Sequence, residues 1–176
     1  MLKSKLTFIT LLLFTFFMSY KIYAQDNMMP PKPVENKMFD AMVGEWSGED
    51  DMMGTKMTDN VKIYWNLNHQ FLFMELTSTA QDNPAMAYHG LGIYGFDKSG
   101  NVKEWWYDDW GAEAMATGNG TIGEMKFSSI STNPMYTDDR TIMFKGNDMV
   151  MTWTSTMKDA SGKEMKMNGE TVYKKK

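Results

Sequence analysis

The chain contains 176 residues, of which 20 are methionine and none is cysteine, and its formal net charge is −4. A chain of this length can form one domain with a core of its own. The lack of cysteine excludes a disulfide scaffold, a thiolate metal site and a cysteine nucleophile. The mildly acidic balance gives no electrostatic support for nucleic-acid binding, so we expect no nucleic-acid partner.

Residues 1–24 have the three parts of a secretory signal peptide. Lys3 and Lys5 precede an uncharged run, 6–18, that is too short for a transmembrane helix, and Ala24 is a small residue suited to cleavage. We therefore predict an exported, soluble protein of the periplasm or the extracellular space, with no transmembrane segment after cleavage. An uncleaved N-terminal anchor is the alternative. Loss of this segment, with its three lysines, would leave 152 residues and a net charge of −7.

The mature chain is predicted to be a short leader followed by a single domain. Residues 25–33 are rich in proline and methionine, and we expect them to be extended and disordered. The domain, 34–176, is predicted to open with one short helix spanning 33–44. Apolar residues recur there at helical spacing, and Gly44 suits a C-terminal cap.

After Gly44 the helical period gives way to short β-type runs separated by turn signals such as 97–101 and 146–148. These runs predict about ten strands, at 45–51, 57–67, 70–79, 86–96, 102–110, 113–121, 125–132, 137–145, 148–157 and 163–174. Short connections favour an antiparallel up-and-down meander, which usually closes because closure removes the exposed edges. The expected fold class is all-β, an up-and-down calycin-like barrel preceded by a short α-helix. Asn168-Gly169 is predicted to be a bulge or a further turn.

Gly44-Glu45-Trp46 opens the first strand directly after the predicted helix. This motif resembles the opening of calycin-type barrels, lipocalins among them. In those families the tryptophan closes one end of the barrel, and a basic side chain of the last strand packs across it. The resemblance implies this role for Trp46, with Lys174 as its basic partner and Arg140, the only arginine, as the alternative.

Four short motifs, in their order and spacing, resemble the secreted bacterial family catalogued as domain of unknown function fifteen-seventy-nine. They lie at 42–48, 90–97, 162–164 and 173–175. The resemblance implies a barrel fold and export but no activity, since the function of the family is not established. Related nitrobindin-like barrels bind heme through a histidine near the C-terminus. Here the histidines are His69 and His89, so we expect neither heme by that route nor another cofactor.

A small barrel can be filled by its own side chains or can hold one small ligand, and the sequence leaves both open. If Trp46 points inward, alternation along the strands also places Trp65, Met151 and Trp153 in the interior. The third strand is apolar on both faces, so the direction of Glu75 is left open.

The fifth strand, 102–110, combines four large aromatic residues with three acids. Either orientation buries a tryptophan beside a carboxylate, and Trp106 and Asp108 share one face. A carboxylate beside tryptophan inside the barrel would have a raised pKa and would mark a polar recognition point. Alternatively, the acids lie in solvent at the end of the strand.

Two further features suggest chemistry. His89, in the fourth strand, would form a proton-transfer pair if Glu75 or Asp108 lay beside it, and a core or rim position is the alternative. The thioethers of the many methionines suit Cu(I) or Ag(I), whereas the structural alternative is that methionine fills the core or lines a permissive pocket.

We predict a non-enzymatic binder of a small hydrophobic or amphipathic ligand. The predicted ligand-binding residues are Trp65, Glu75, His89, Trp106, Asp108, Met151 and Trp153. The alternatives are a methionine-rich Cu(I)- or Ag(I)-binding envelope protein and a hydrolase-like enzyme that uses His89 with a carboxylate. The sequence contains no nucleotide-binding or hydrolase fingerprint, and no catalytic residue or metal ligand is assigned.

Overall fold

The computed structural model describes residues 30–52, 54–158 and 161–176. The predicted signal peptide and most of the predicted leader lie outside these residues. The chain divides into two units, Met1–Lys32 and Pro33–Lys176. Of the first unit, residues 30–32 are described, and they are exposed and belong to neither a helix nor a strand. In the described ranges, no helix has the length and apolar character needed to cross a membrane.

The second unit is a short helix followed by a closed antiparallel barrel. The helix is α1 (Lys37–Met42). The described residues form ten strands, β1 (Gly44–Met52), β2 (Thr55–Asn66), β3 (Phe71–Ala80), β4 (Ala87–Phe96), β5 (Val102–Asp108), β6 (Ala116–Gly123), β7 (Lys126–Thr132), β8 (Tyr136–Lys145), β9 (Asp148–Lys158) and β10 (Glu164–Lys175). Consecutive strands pair with each other, and β1 also pairs with β10, which closes the barrel. The predicted fold class is thereby confirmed.

Helix α1 is shorter than the predicted 33–44 because Asn36 caps it. The Asn36 Oδ1 accepts a hydrogen bond from the Phe39 backbone N–H at 3.0 Å, which satisfies one of the free amides of the first turn. Gly44 does not cap the helix. It begins β1 with a φ of +145°, and a Cβ at this position would lie 2.7 Å from Lys175 Cε of the last strand.

The junction between β5 and β6 also differs from the prediction. β5 ends at Asp108, two residues before the predicted end, because the Asp108 Oδ1 accepts a hydrogen bond from Trp110 N at 3.0 Å and turns the chain. Gly111 then has a φ of +92° and leads into a 3₁₀ turn, Ala112–Ala114. As a result β6 begins at Ala116, three residues later than predicted.

Helix α1 closes one end of the barrel through Phe39, which is fully buried. Its ring meets Phe127 edge-on at 5.5 Å and Tyr94 at 6.2 Å, and it packs at a tilt against Phe96 and Trp65. We call this the closed end. The open end is the opposite one, where the β3–β4, β5–β6 and β7–β8 connections lie.

Trp46 lies at the closed end, as the resemblance implies. Its Nε1 donates a hydrogen bond to the Met42 carbonyl at 2.8 Å, which ties the first strand to the helix. The Nζ of Lys175 lies 5.2 Å from the indole centroid and donates to the Val43 carbonyl at 3.1 Å. A cation over the ring face is attracted by the ring quadrupole, so Lys175 fastens the last strand over this tryptophan.

Neither predicted partner of Trp46 takes this position. Lys174 points to the outside of β10 and binds Asp148, and Arg140 lies over Trp106, deeper in the barrel. The reason is the alternation of side chains along a strand, since Lys175 is the residue aligned with Trp46 across the β1–β10 ladder. A shift of one position exchanges inside for outside.

Candidate functional site

A cavity of about 490 Å³ extends into the barrel from the open end. Its described lining comes from β1 to β5, from β8 to β10 and from residues that flank them at the open end. A volume of this size suits one small organic molecule. The interior is therefore packed at one end and hollow at the other, which answers the question that the sequence left open.

Methionine dominates the apolar wall of the cavity. Among the described residues, those that line it are Met52, Met57, Met74, Met86, Met149, Met151, Met157 and Met167. An unbranched thioether side chain fits irregular shapes and repacks at low cost. Three tryptophans complete the wall, Trp106, Trp110 and Trp153. This lining is adaptable and has large aromatic faces.

Trp106 lies against β4, where glycine makes room for its indole. A Cβ at Gly90 would lie 2.3 Å from Trp106 Cζ2, a distance no real side chain tolerates. The indole Nε1 donates to the Tyr88 hydroxyl at 2.9 Å, and this hydroxyl donates to Asp108 Oδ2 at 3.2 Å. Burial, reinforced by the Asp108 carboxylate, holds the pKa of Tyr88 above its ordinary value, so the hydroxyl remains a donor. The face of β5 that carries Trp106 and Asp108 thus points inward.

Trp153 is accommodated in the same way on β9. It is aligned with Gly169 of β10, and a Cβ there would lie 2.8 Å from three atoms of the indole. Asn168-Gly169 is therefore neither a bulge nor a turn, contrary to both predicted alternatives. The ladder between β9 and β10 continues through it, and the glycine serves the close approach of the ring.

An ion-paired group lies on the β5 and β8 side of the cavity. Arg140 Nη2 donates to Asp138 Oδ2 at 2.6 Å, and its Nη1 lies 3.8 Å from Glu104 Oε1. Ser155 Oγ donates to the other Asp138 oxygen at 2.6 Å. Burial opposes the charge of Arg140, but neighbouring anionic groups, Asp138 first among them, hold the pKa of its guanidinium well above the ordinary range. The positive charge is balanced locally by two carboxylates.

Asp59 of β2 lies on another part of the wall and is only 3% exposed. Tyr173 donates its hydroxyl to Asp59 Oδ2 at 2.9 Å, whereas Oδ1 is buried and has no hydrogen-bond partner among the described residues. Burial raises the pKa of Asp59, against the lowering effect of the Ser78 and Tyr173 hydroxyls. A buried carboxylate oxygen without a partner costs stability and calls for an explanation.

Four of the seven predicted ligand-binding residues line the cavity, namely Trp106, Asp108, Met151 and Trp153. Trp65 does not line it. It lies at the closed end, where its Nε1 donates to Asp40 Oδ1 at 2.8 Å and its ring stacks on His69 at 4.6 Å. Its inward direction was predicted correctly, but it lies too close to the closed end, against Phe39 of the helix, to line the cavity.

Glu75 and His89 lie on the outer face of the barrel. Glu75 is exposed and accepts a hydrogen bond from the Tyr64 hydroxyl at 2.6 Å. The exposed His89 has its Nδ1 3.3 Å from Thr77 Oγ1, and in the described residues no hydrogen bond or ion pair joins its ring to Glu75 or Asp108. The predicted proton-transfer pair is not formed, because β3 and β4 turn the opposite faces inward.

Sequence reasoning overlooked Asp59, Asp138 and the position of Arg140 in the cavity. The signal was present, since Asp59 lies between Met57 and Val61 at the spacing of two that defines an inward face. It was overlooked because a charged residue between apolar ones on an inward face is rare unless it is paired.

No protein-family model matches the sequence, and no curated protein matches it. Among solved structures, the chain is similar to the crystal structure of Rv2717c from M. tuberculosis. The TM-score is 0.59 and the identity 11%, and the match covers 81% of this chain and 99% of that chain. At this identity the likeness shows the barrel fold alone.

Proposed function

We propose that this protein binds one small hydrophobic or amphipathic molecule in the barrel cavity and that it is not an enzyme. The observation that carries the proposal is the cavity itself, about 490 Å³ and open at one end, with methionine and tryptophan on its wall. Polar groups are the minority of the described lining and stand at separate points of an apolar wall, which is the usual composition of a pocket that orients one ligand.

Two further parts of the proposal rest on the sequence. The pattern of 1–24 supports export to the periplasm or the extracellular space. The order and spacing of the four motifs support membership of the domain family named above. Neither part depends on the cavity, and each can fail without the other.

Intrinsic tryptophan fluorescence tests binding directly. We would titrate the protein with lipids, tetrapyrroles and hydrophobic dyes and follow quenching or a spectral shift. Trp106→Phe is expected to remove much of the ligand-induced change and to weaken binding about tenfold, since a buried aromatic anchor is lost. Absence of a response to every member of the set would overturn the proposal.

Trp105→Phe is the matched control, because Trp105 neighbours Trp106 in β5 but points outward and packs against Phe71 with ring centroids 6.2 Å apart. This variant should keep the wild-type affinity. Equal losses in both variants would indicate a general effect on the fold instead of a contact with the ligand.

The methionine wall supports a second candidate, binding of Cu(I) or Ag(I) by thioether sulfur. Met157 and Met167 line the cavity from the adjacent strands β9 and β10 and lie two positions apart along their ladder. We would titrate the protein with Cu(I) or Ag(I) against a competing chelator, and then repeat this with leucine at these two positions.

Leucine keeps a similar volume but removes the sulfur. Leucine at the exposed Met125 and Met135, which do not line the cavity, is the control. Stoichiometric uptake that the cavity variant loses and the control keeps would support the metal candidate. No stoichiometric uptake by the unmodified protein would dismiss it.

A further inference from the structure

The cavity carries more negative than positive charge. Its described lining includes the carboxyl groups of Asp50, Asp59, Asp108 and Asp138, against one guanidinium, that of Arg140, and no lysine. Charges in a cavity with low-dielectric walls act over longer distances than charges in water, so this imbalance selects the sign of a guest molecule.

Arg140 is poorly placed to receive an anion. Its Nη2 donates to Asp138, its Nη1 lies 3.8 Å from Glu104 Oε1, and its buried Nε has no hydrogen-bond partner in the described residues. Both oxygens of Glu104 also lack hydrogen-bond partners. An incoming carboxylate would gain contact with the guanidinium but would approach the two negative groups beside it, which disfavours an anion here.

Asp59, in contrast, is well placed to receive a cation. In the described residues its buried Oδ1 has no hydrogen-bond partner, and the donors that act on the carboxylate are the hydroxyls of Ser78 and Tyr173. No basic group is paired with it among the described residues, and Asp50 adds repulsion. A guest with a charged N–H donor would supply the missing hydrogen bond and the missing counter-charge together.

The aromatic residues of the wall also favour a positively charged guest. Tyr88 and Trp110 meet edge to face at the open end, with ring centroids 6.1 Å apart, and Trp106 already carries a guanidinium over its ring at 4.9 Å. Ring faces attract cations and repel anions. The path from the open end to Asp59 thus suits a positively charged guest with an apolar body.

We propose that the ligand is an amphipathic organic cation, a protonated amine whose ammonium group binds Asp59 while its apolar part lies against the methionines and Trp106. This inference rests on the proposed function and adds the charge of the ligand and the residue that recognises it.

Three probes with the same chain and different head groups test the inference: decylammonium, decanol and decanoate. Each is titrated calorimetrically into the full chain at neutral pH, below its micelle concentration. We expect decylammonium to bind about tenfold or more tightly than decanol, because a buried charge pair is formed, and decanoate to bind most weakly.

Asp59→Asn should abolish the preference, lowering the affinity for decylammonium by about tenfold or more and leaving that for decanol unchanged. Asp139→Asn is the matched control, because it removes the same charge from an exposed position on the outer side of β8. It should leave the order of the three probes intact. A urea titration of each variant verifies that it is folded.

The other possible outcomes separate a failure of the inference from a failure of the proposed function. Equal affinities, or tightest binding of decanoate, would overturn the cationic ligand while leaving the proposed function standing. A preference for decylammonium that survives Asp59→Asn would overturn the role of Asp59. No binding of any probe would overturn both the inference and the proposed binding of amphipathic molecules.

Discussion

The closed and open ends of the barrel use the same strands and the same alternation, but they fill the inward positions differently. At the closed end, Phe39 and Phe127 are both buried and meet edge to face. At the open end, methionines surround a cavity, and the buried Asp59 has one carboxylate oxygen without a hydrogen-bond partner in the described residues. One end has the packing of a core, and the other has features that reduce stability.

This difference indicates that the closed end stabilises the fold and that the open end serves recognition. Dense apolar packing contributes stability, whereas cavities and buried charges reduce it and are retained where they serve recognition. If that is correct, substitutions at the closed end should change stability with little effect on ligand affinity, and those at the open end should change affinity.

Phe39→Ala should have the largest effect on stability. Removing a fully buried ring from the helix that closes the barrel is expected to lower the free energy of unfolding by about 3–5 kcal/mol. Urea denaturation followed by fluorescence measures this. Met86→Ala at the open end, where the side chain is 48% exposed, should cost about 0.5 kcal/mol or less. Similar losses at both sites would contradict the division between the ends.

Gly90→Ala should affect both properties. The added Cβ would lie 2.3 Å from Trp106 Cζ2, so the indole must move into the cavity. We expect a loss of about 1–3 kcal/mol in stability together with weaker binding of decanol. Gly123→Ala is the control, since the nearest atom to its added Cβ, Lys126 O, is 4.0 Å away. Unchanged decanol affinity in Gly90→Ala would mean that the ligand lies elsewhere.

Asp59→Asn tests whether the buried charge at the open end lowers the stability of the protein. Burial raises the pKa of Asp59 above its ordinary value of 3.8, so the folded state favours the protonated form. The stability gained by protonation of Asp59 is present below about pH 3.8 and is lost as the pH rises through the raised pKa of the folded state. The neutral asparagine should therefore be more stable than the wild type at pH 7, by about 1 kcal/mol, and the difference should vanish in acid. A variant less stable than wild type at pH 7 would refute this.

Strand order and length could be predicted from the sequence because turn residues separate the runs. Departures occur where a side chain acts on the backbone, as when Asp108 turns the chain at the end of β5. Such capping by a side chain depends on the rotamer that the folded structure selects, so composition alone does not reveal it.

The site was harder to predict than the fold. The inward face of β2 was identified correctly, but β3 is apolar on both faces, and the choice between Glu75 and Met74 requires the barrel itself. Pairing across distant strands is also invisible in sequence. Arg140 and Glu104 lie 36 positions apart and meet only because β5 and β8 face a common interior.

The smallest predicted effect is a gain in stability at the closed end. In the turn between β2 and β3, Leu67, Asn68 and His69 have φ values of 49°, 57° and 59°, which bring His69 onto Trp65. A left-handed conformation costs an L-residue about 1–2 kcal/mol, and leucine lacks the short polar side chain that helps asparagine.

Leu67 is 61% exposed, so Leu67→Gly removes this strain with little loss of packing. Glycine also loses more chain entropy on folding, so the net gain should be about 0.5 kcal/mol. Asn68→Gly should give little or no gain in stability, because asparagine already tolerates the left-handed conformation. A clear loss of stability in Leu67→Gly would show that the exposed leucine contributes packing that outweighs its strain, and the closed end would then extend its apolar contacts into this turn.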